Sequence, residues 1–179
     1  MGVSAALPFS TQLTPLLLKS LGVSKEWLPR LLTVAQVSEV ASLAVLPAVL
    51  GRLGTRHTMW LGLIAAVLTL GSLMCGRPLA LVVGGLGLYG LVISCYLVAG
   101  QMYLNRRSRP DVRASAQAMH SVLCGVGLLI GNVVVGVVHE AAAGDFAVTF
   151  AVAVGGTLLL LGVFVVGFPR EPANLQVGE

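Results

Sequence analysis

Three stretches of this chain, residues 79–104, 114–138 and 146–167, contain no Asp, Glu, Lys or Arg. Uninterrupted runs of that length leave a polypeptide few options. Hydrocarbon offers no hydrogen-bond partners, so each backbone N–H and C=O must be satisfied within the segment, which a helix achieves and a lone strand does not. About 20 apolar residues carry a helix across the ~30 Å core of a bilayer, whereas a barrel strand needs only ~10. Composition agrees: 56% of the 179 residues are hydrophobic and 10% are charged. Ordinary soluble domains carry about 25% charged residues. Mean hydropathy is +0.93. The chain reads as an all-α membrane protein.

Six apolar spans are expected, at about 3–18, 27–50, 58–74, 79–104, 114–138 and 146–167. The first is short for a crossing and is broken by Pro8 and Pro15, with Ser10, Thr11, Gln12 and Thr14 between them, so it is expected to lack its beginning. Before the second, Ser24 reads as a helix cap and Trp27 as an interfacial aromatic, while Pro47 is expected to bend its end. Residues 51–57 form a tight basic loop, Gly76-Arg77-Pro78 a turn, 105–113 the most charged loop, and 139–145 a small connection. Residues 1–168 thus make a six-helix bundle and 169–179 a polar tail.

The basic residues alternate sides. Arg52, Arg56, Arg106, Arg107, Arg109, Arg113 and Arg170 fall on one side of six spans, and Lys19, Lys25, Arg30 and Arg77 on the other. The positive-inside rule puts the first set, and with it the C-terminus, in the cytoplasm of a multi-pass inner-membrane protein. A net charge of +4 distributed in this way orients a chain in a bilayer; it does not make a nucleic-acid patch. No basic region with a cleavable apolar stretch opens the chain.

Within the second span lies Thr33-Val-Ala-Gln-Val-Ser-Glu. Glu39 is the one carboxylate placed deep in an apolar span, where an unassisted charge costs at least ~2.5 kcal/mol. Helical spacing stacks Thr33, Gln36 and Glu39 on one face. Two readings fit an acid flanked by an amide and a hydroxyl: a site for a polar solute or a proton, and an interhelical hydrogen-bond clamp.

Other polar groups carry the same two readings. Gln117, His120, Ser121 and Cys124 form a stripe on the fifth span. His120 could relay protons, since histidine is the side chain suited to proton exchange near neutral pH, or the stripe could hydrogen-bond a neighbouring helix beside Gly125, Gly127, Gly131 and Gly136. Asn132 is similarly open. Tyr89, Tyr96 and Tyr103 are spaced by seven and are expected to share a face, for packing or for stacking a planar base. Cys75, Cys95 and Cys124 match no metal motif and read as buried helix residues. The glycines at 84–90 resemble a phosphate loop only in spacing, since no Lys-Ser/Thr follows and no strand precedes. No cofactor is implied. Gly-x-Ser-x-Gly, His-Glu-x-x-His and carboxylate clusters are all missing, so the chain does not read as an enzyme.

Pro47-Ala-Val-Leu-Gly-Arg-Leu-Gly-Thr-Arg resembles the Gly-x-Leu-x-Asp-Arg-x-Gly-Arg loop of the major facilitator superfamily, with the Asp missing. Three further stretches look like the C-terminal six helices of the nucleoside:proton symporters in that superfamily. They are Trp27-Leu-Pro-Arg-Leu-Leu-Thr-Val-Ala-Gln-Val-Ser-Glu, Tyr89-Gly through Ala99-Gly-Gln-Met-Tyr, and Arg113-Ala-Ser-Ala-Gln-Ala-Met. The resemblance runs from about Ala5 to Arg170 and implies helices seven to twelve of a twelve-helix transporter. Such transporters bind at the bilayer midplane and rock one half against the other.

The resemblance points to Gln36, Glu39 and Tyr89 as substrate-facing and to Thr11 and Gln12, with Ser10, as candidates on the first helix. It implies proton coupling at Glu39; His120, read from the polar stripe of the fifth span and not from the resemblance, is a second candidate. The family often places an aromatic and an Asp four and five residues after the Tyr. Here Ile93 and Ser94 stand instead, so Ser94 takes the place of a second carboxylate. The implied function is proton-coupled nucleoside uptake by a C-terminal half, partnered by an N-terminal six-helix half or a second copy. Transport of another small polar solute such as a sugar, and a non-transporting membrane fragment, are the alternatives.

Overall fold

The computed structural model describes residues 2–167, so the expected tail and Arg170 lie outside the described residues. In order the elements are α1 (Gly2–Ser20), α2 (Leu28–Cys75), α3 (Leu79–Val92), a π-helical stretch (Ile93–Val98), α4 (Ala99–Arg107), α5 (Arg113–Ala141) and α6 (Phe146–Gly167). α3, the π stretch and α4 form one rod, Leu79–Arg107. By length and composition four helices can cross a membrane: Leu28–Cys75, Leu79–Arg107, Arg113–Ala141 and Phe146–Gly167. α1 keeps both of its prolines inside the helix, and its buried positions include Ser4, Ser10 and Thr14.

The expected loop at 51–57 is not a loop. Helix α2 runs through it for 48 residues, broken only where Gly54 takes φ 73° and ψ 167°. A straight helix of that length would be about 72 Å long, more than twice the ~30 Å hydrocarbon core. Contacts along the Leu79–Arg107 rod show what Gly54 does instead. In the arm before it, Ser38 meets Gly87 and Leu46 packs with Cys95 and Ala99. In the arm after it, Thr69 meets Gly85, Gly62 lies against Tyr96, and Met59 joins the Cys95–Ala99 cluster. The first arm therefore runs parallel to the rod and the second antiparallel. The chain reverses at a single glycine, which has no Cβ to oppose a positive φ.

Two smaller expectations change. Ser24 contributes its carbonyl, which accepts from Trp27 N and Leu28 N at 3.1 and 3.3 Å, and α2 has no side-chain cap. Trp27 carries the Arg30 guanidinium 4.7 Å from its ring centroid. His139 and Glu140 belong to the last turn of α5, where Gly144 N and Ala143 N close on their carbonyls.

The core lies between α1, the second arm of α2, α3 and α6. Phe9, Leu13, Leu17, Leu70, Leu73, Val82, Val135 and Phe150 pack toward one end. Leu46, Met59, Cys95 and Ala99 pack toward the other. The basic residues follow the same two ends. Arg52 and Arg56 flank the Gly54 reversal, which lies at the α4 end with Arg106, Arg107, Arg109 and Arg113. Arg56 Nη2 also donates to Val165 O at the end of α6. The opposite end holds Lys19, Lys25, Arg30 and Arg77 together with Glu26, Glu140 and Asp145. α5 is exposed along most of its length and buries only Gly127, Gly131 and Val135.

Candidate substrate site

Glycines decide where the candidate residues meet. A Cβ on Gly90 would run into Ser38 and the backbone N of Glu39, so α3 passes α2 in direct backbone contact there. One turn away, the Ser38 hydroxyl donates to Gly87 O. That crossing puts Glu39 beside Tyr89, close enough for the carboxylate and the phenol to interact electrostatically. Both side chains are half-buried, and Gln36, one turn before Glu39, is exposed on the same open face. Among the described residues neither Gln36 nor Glu39 has a hydrogen-bond partner. Thr33 is exposed too, but its hydroxyl turns back to Pro29 O at 2.9 Å.

Depth reinforces the grouping. At ~1.5 Å per residue, Glu39 lies about 16 Å from the start of α2 and Tyr89 about 15 Å from the start of α3. Both values are close to half of a ~30 Å core. Gln12, in the middle of α1, sits at a similar depth and donates its Nε2 to Asn132 Oδ1 on α5. Thr11 is exposed beside it, with its hydroxyl on Leu7 O at 3.3 Å. Behind Tyr89 a cavity of about 10 Å³, lined in part by Ser10, Thr69 and Val92, has room for little more than one water. That cavity is too small to enclose a solute.

Two candidates stand apart from that face. Ser94 is fully buried in the π stretch, and its hydroxyl donates to Gly90 O at 2.9 Å. His120 lies on α5 with Nε2 3.5 Å from Cys124 Sγ, and among the described residues no hydrogen bond or ion pair joins it to Glu39. The three tyrosines do not share one environment. Tyr89 faces Glu39, Tyr96 meets Phe164 edge-on with centroids 6.3 Å apart, and Tyr103 accepts from Arg107 Nη1 at 2.8 Å. The intervening π stretch, Ile93–Val98, adds residues to the turn and rotates the helix beyond it, so a spacing of seven no longer preserves the face. Ser38, Gly87 and Gly90 were not singled out in the sequence as site residues. The glycine pair at a spacing of three was the available signal.

A sequence model of the nucleoside H+ symporter family matches residues 10–173. The chain belongs to that family. Among curated relatives, it is 24% identical over 157 residues to nucleoside permease NupG of Escherichia coli (strain K12), covering 83% of this chain and 38% of the permease. It is 26% identical over 157 residues to xanthosine permease of the same organism, covering 82% and 38%. It is 29% identical over 115 residues to the putative nucleoside transporter YegT, covering 61% and 27%. The crystal structure of nucleoside transporter NupG superposes with a TM-score of 0.81 at 22% identity, over 94% of this chain and 46% of that one. The fold is thus that of a major facilitator transporter, and the chain spans less than half the length of these relatives.

Proposed function

We propose that the chain forms the C-terminal six-helix half of a proton-coupled nucleoside transporter in the inner membrane. One observation carries the reading. Glu39, Gln36 and Tyr89 converge at mid-membrane depth on an open face, and neither the acid nor the amide has a hydrogen-bond partner among the described residues. An intramembrane acid of this kind marks a solute or proton pathway. Glu39 is assigned proton coupling and, with Gln36, the solute's polar edge; Tyr89 is assigned stacking or hydrogen bonding to it. Thr11 and Gln12 border the same face from α1. Ser94 and His120 are assigned to helix packing, since each has a local partner within its own rod.

The reversal at Gly54 supports six crossings, because it turns the 48-residue α2 into two antiparallel arms and α1 supplies the remaining one. Six arginines and one aspartate at the Gly54 end, against four cations and three carboxylates at the other, support a cytoplasmic placement of that end and of the C-terminus. The open face is assigned to an N-terminal six-helix half or a second copy, across which alternating access takes place.

The test is uptake of radiolabelled nucleosides into vesicles with and without a proton gradient, holding the chain alone and then with an N-terminal half. Gradient-driven uptake that needs both halves is expected. No uptake in either case, with the chain folded in the membrane, overturns the reading. The pair Ile93-Ser94, which brings no second carboxylate, favours one further reading, transport of another polar solute. Competition by sugars rather than nucleosides would establish it.

A further inference from the structure

We infer that Asn132 is a positioning residue that holds the Gln12 amide with its carbonyl oxygen toward the open face, so that the solute must offer Gln12 a hydrogen-bond donor. This rests on the nucleoside-transport reading and names a specificity contact within the same site. The polarity comes from a group that cannot be reversed. A helix carbonyl only accepts, and Leu128 O takes a hydrogen bond from Asn132 Nδ2 at 2.8 Å. Turning the Asn132 amide over would set oxygen against oxygen. Asn132 Oδ1 therefore faces α1, where only a donor fits, and Gln12 supplies its Nε2. The remaining end of that amide, Gln12 Oε1, has no partner among the described residues.

The relay has little freedom to slip. Next to Asn132, a Cβ on Gly131 would collide with the backbone of Ala5, so α5 and α1 touch directly there. Both Gln12 and Asn132 are exposed, so the free end of the Gln12 amide is accessible from outside the helix group. A carbonyl oxygen left unpaired at bilayer depth is costly. A solute N–H or O–H relieves that cost, and a nucleoside carries such donors on its base and on its sugar.

The experiment compares uptake kinetics of uridine, 3-methyluridine, 2′-deoxyuridine and 3′-deoxyuridine in vesicles holding the complete transporter. For the native chain, at least one analogue that lacks a donor is expected to show a KM about tenfold above that of uridine, the worth of one lost hydrogen bond. Asn132→Leu suits a membrane helix but removes both contacts, so the Gln12 amide can turn over. The discrimination is expected to shrink to about twofold with kcat nearly unchanged. Asn132→Thr keeps the polarity. Its hydroxyl can donate to the carbonyl one turn back, as Thr58, Thr149 and Thr157 do at 2.8, 2.7 and 2.8 Å, while its oxygen accepts from Gln12. Discrimination is expected to return.

Gln12→Leu, which leaves α5 untouched, must erase the same discrimination and gives a second reading wherever an Asn132 variant fails to reach the membrane. Native discrimination in Asn132→Leu or in Gln12→Leu overturns the inference while leaving the transport reading intact. An equal loss of uptake for all four nucleosides, at unchanged selectivity, overturns it as well. No uptake of any nucleoside by the native protein overturns the transport reading, and this inference with it.

Discussion

Before Gly54, helix α2 buries Leu46 alone; after it, buried residues run in a stripe from Thr55 to Leu73. The two arms handle their polar side chains differently for the same reason. In the second arm Thr58 donates to Gly54 O at 2.8 Å, Thr69 to Gly85 O at 3.1 Å and Ser72 to Thr69 O at 2.7 Å, so every one of these hydroxyls is consumed inside the fold. In the first arm Thr33 and Ser38 are consumed likewise, but Gln36 and Glu39 are not. Burial in the second arm contributes stability. Incomplete burial in the first leaves hydrogen-bonding capacity for something other than the protein. The difference teaches where to look for function in a chain this apolar: at polar groups of mid-depth that the fold has not already satisfied.

The sharpest way to break that contrast is to force the first arm off its support. Gly90→Ala places a methyl against the backbone of Ser38 and Glu39. It is expected to cost about 2–3 kcal/mol and to abolish uptake, read by thermal denaturation of the detergent-solubilised protein together with transport. Glu39→Gln leaves the crossing intact and removes the acid. Gradient-driven uptake is expected to fall about 10–100-fold, the scale of a hydrogen bond to a charged group, with thermal stability retained. Unchanged uptake and pH dependence would remove Glu39 from proton coupling.

A paired substitution tests the division of labour more finely. Thr69→Val in the second arm loses its hydrogen bond to Gly85 O and is expected to lower stability by about 1 kcal/mol without altering the KM of the folded fraction. Ser38→Ala in the first arm loses its bond to Gly87 O at similar cost, but is expected to raise KM because Glu39 is its neighbour. Equal effects on KM would erase the distinction between the arms. The smallest effect is expected from Gly84→Ala, since nothing lies within 4 Å of the added methyl. The change in stability should stay within about 1 kcal/mol, on the stabilising side, through helix propensity alone.

Much of the helical architecture was legible because hydropathy reports the length of chain that must be shielded from water. The sixth expected span, 146–167, coincides with α6, and the fifth with most of α5. The reversal was legible as a position but not as a form, since Gly-Thr-Arg-His reads as a loop until one glycine is seen to do the turning. Glu39 stood out because its charge is anomalous at that depth. Ser38 and Gly90 did not, and Asn132 showed only as a polar group open to two readings. Their importance depends on which helix lies opposite, and an isolated helix sequence carries no record of its neighbour. The π stretch was hidden for another reason: Ile-Ser-Cys-Tyr-Leu-Val contains nothing that disfavours an ordinary α-helix, so the seven-residue tyrosine spacing gave a face that the backbone does not keep.

The two arms of α2 and the Leu79–Arg107 rod also have a mechanical meaning. The arms are joined to one another at Gly54 and fastened to the rod at Gly87 and Gly85, two residues apart and far from that joint. Three bars tied in this way make a braced truss rather than a pair of flaps. Displacing the arm that bears Glu39 by itself would break its contacts at Gly87 and Gly90, so the two arms and the rod form one braced unit.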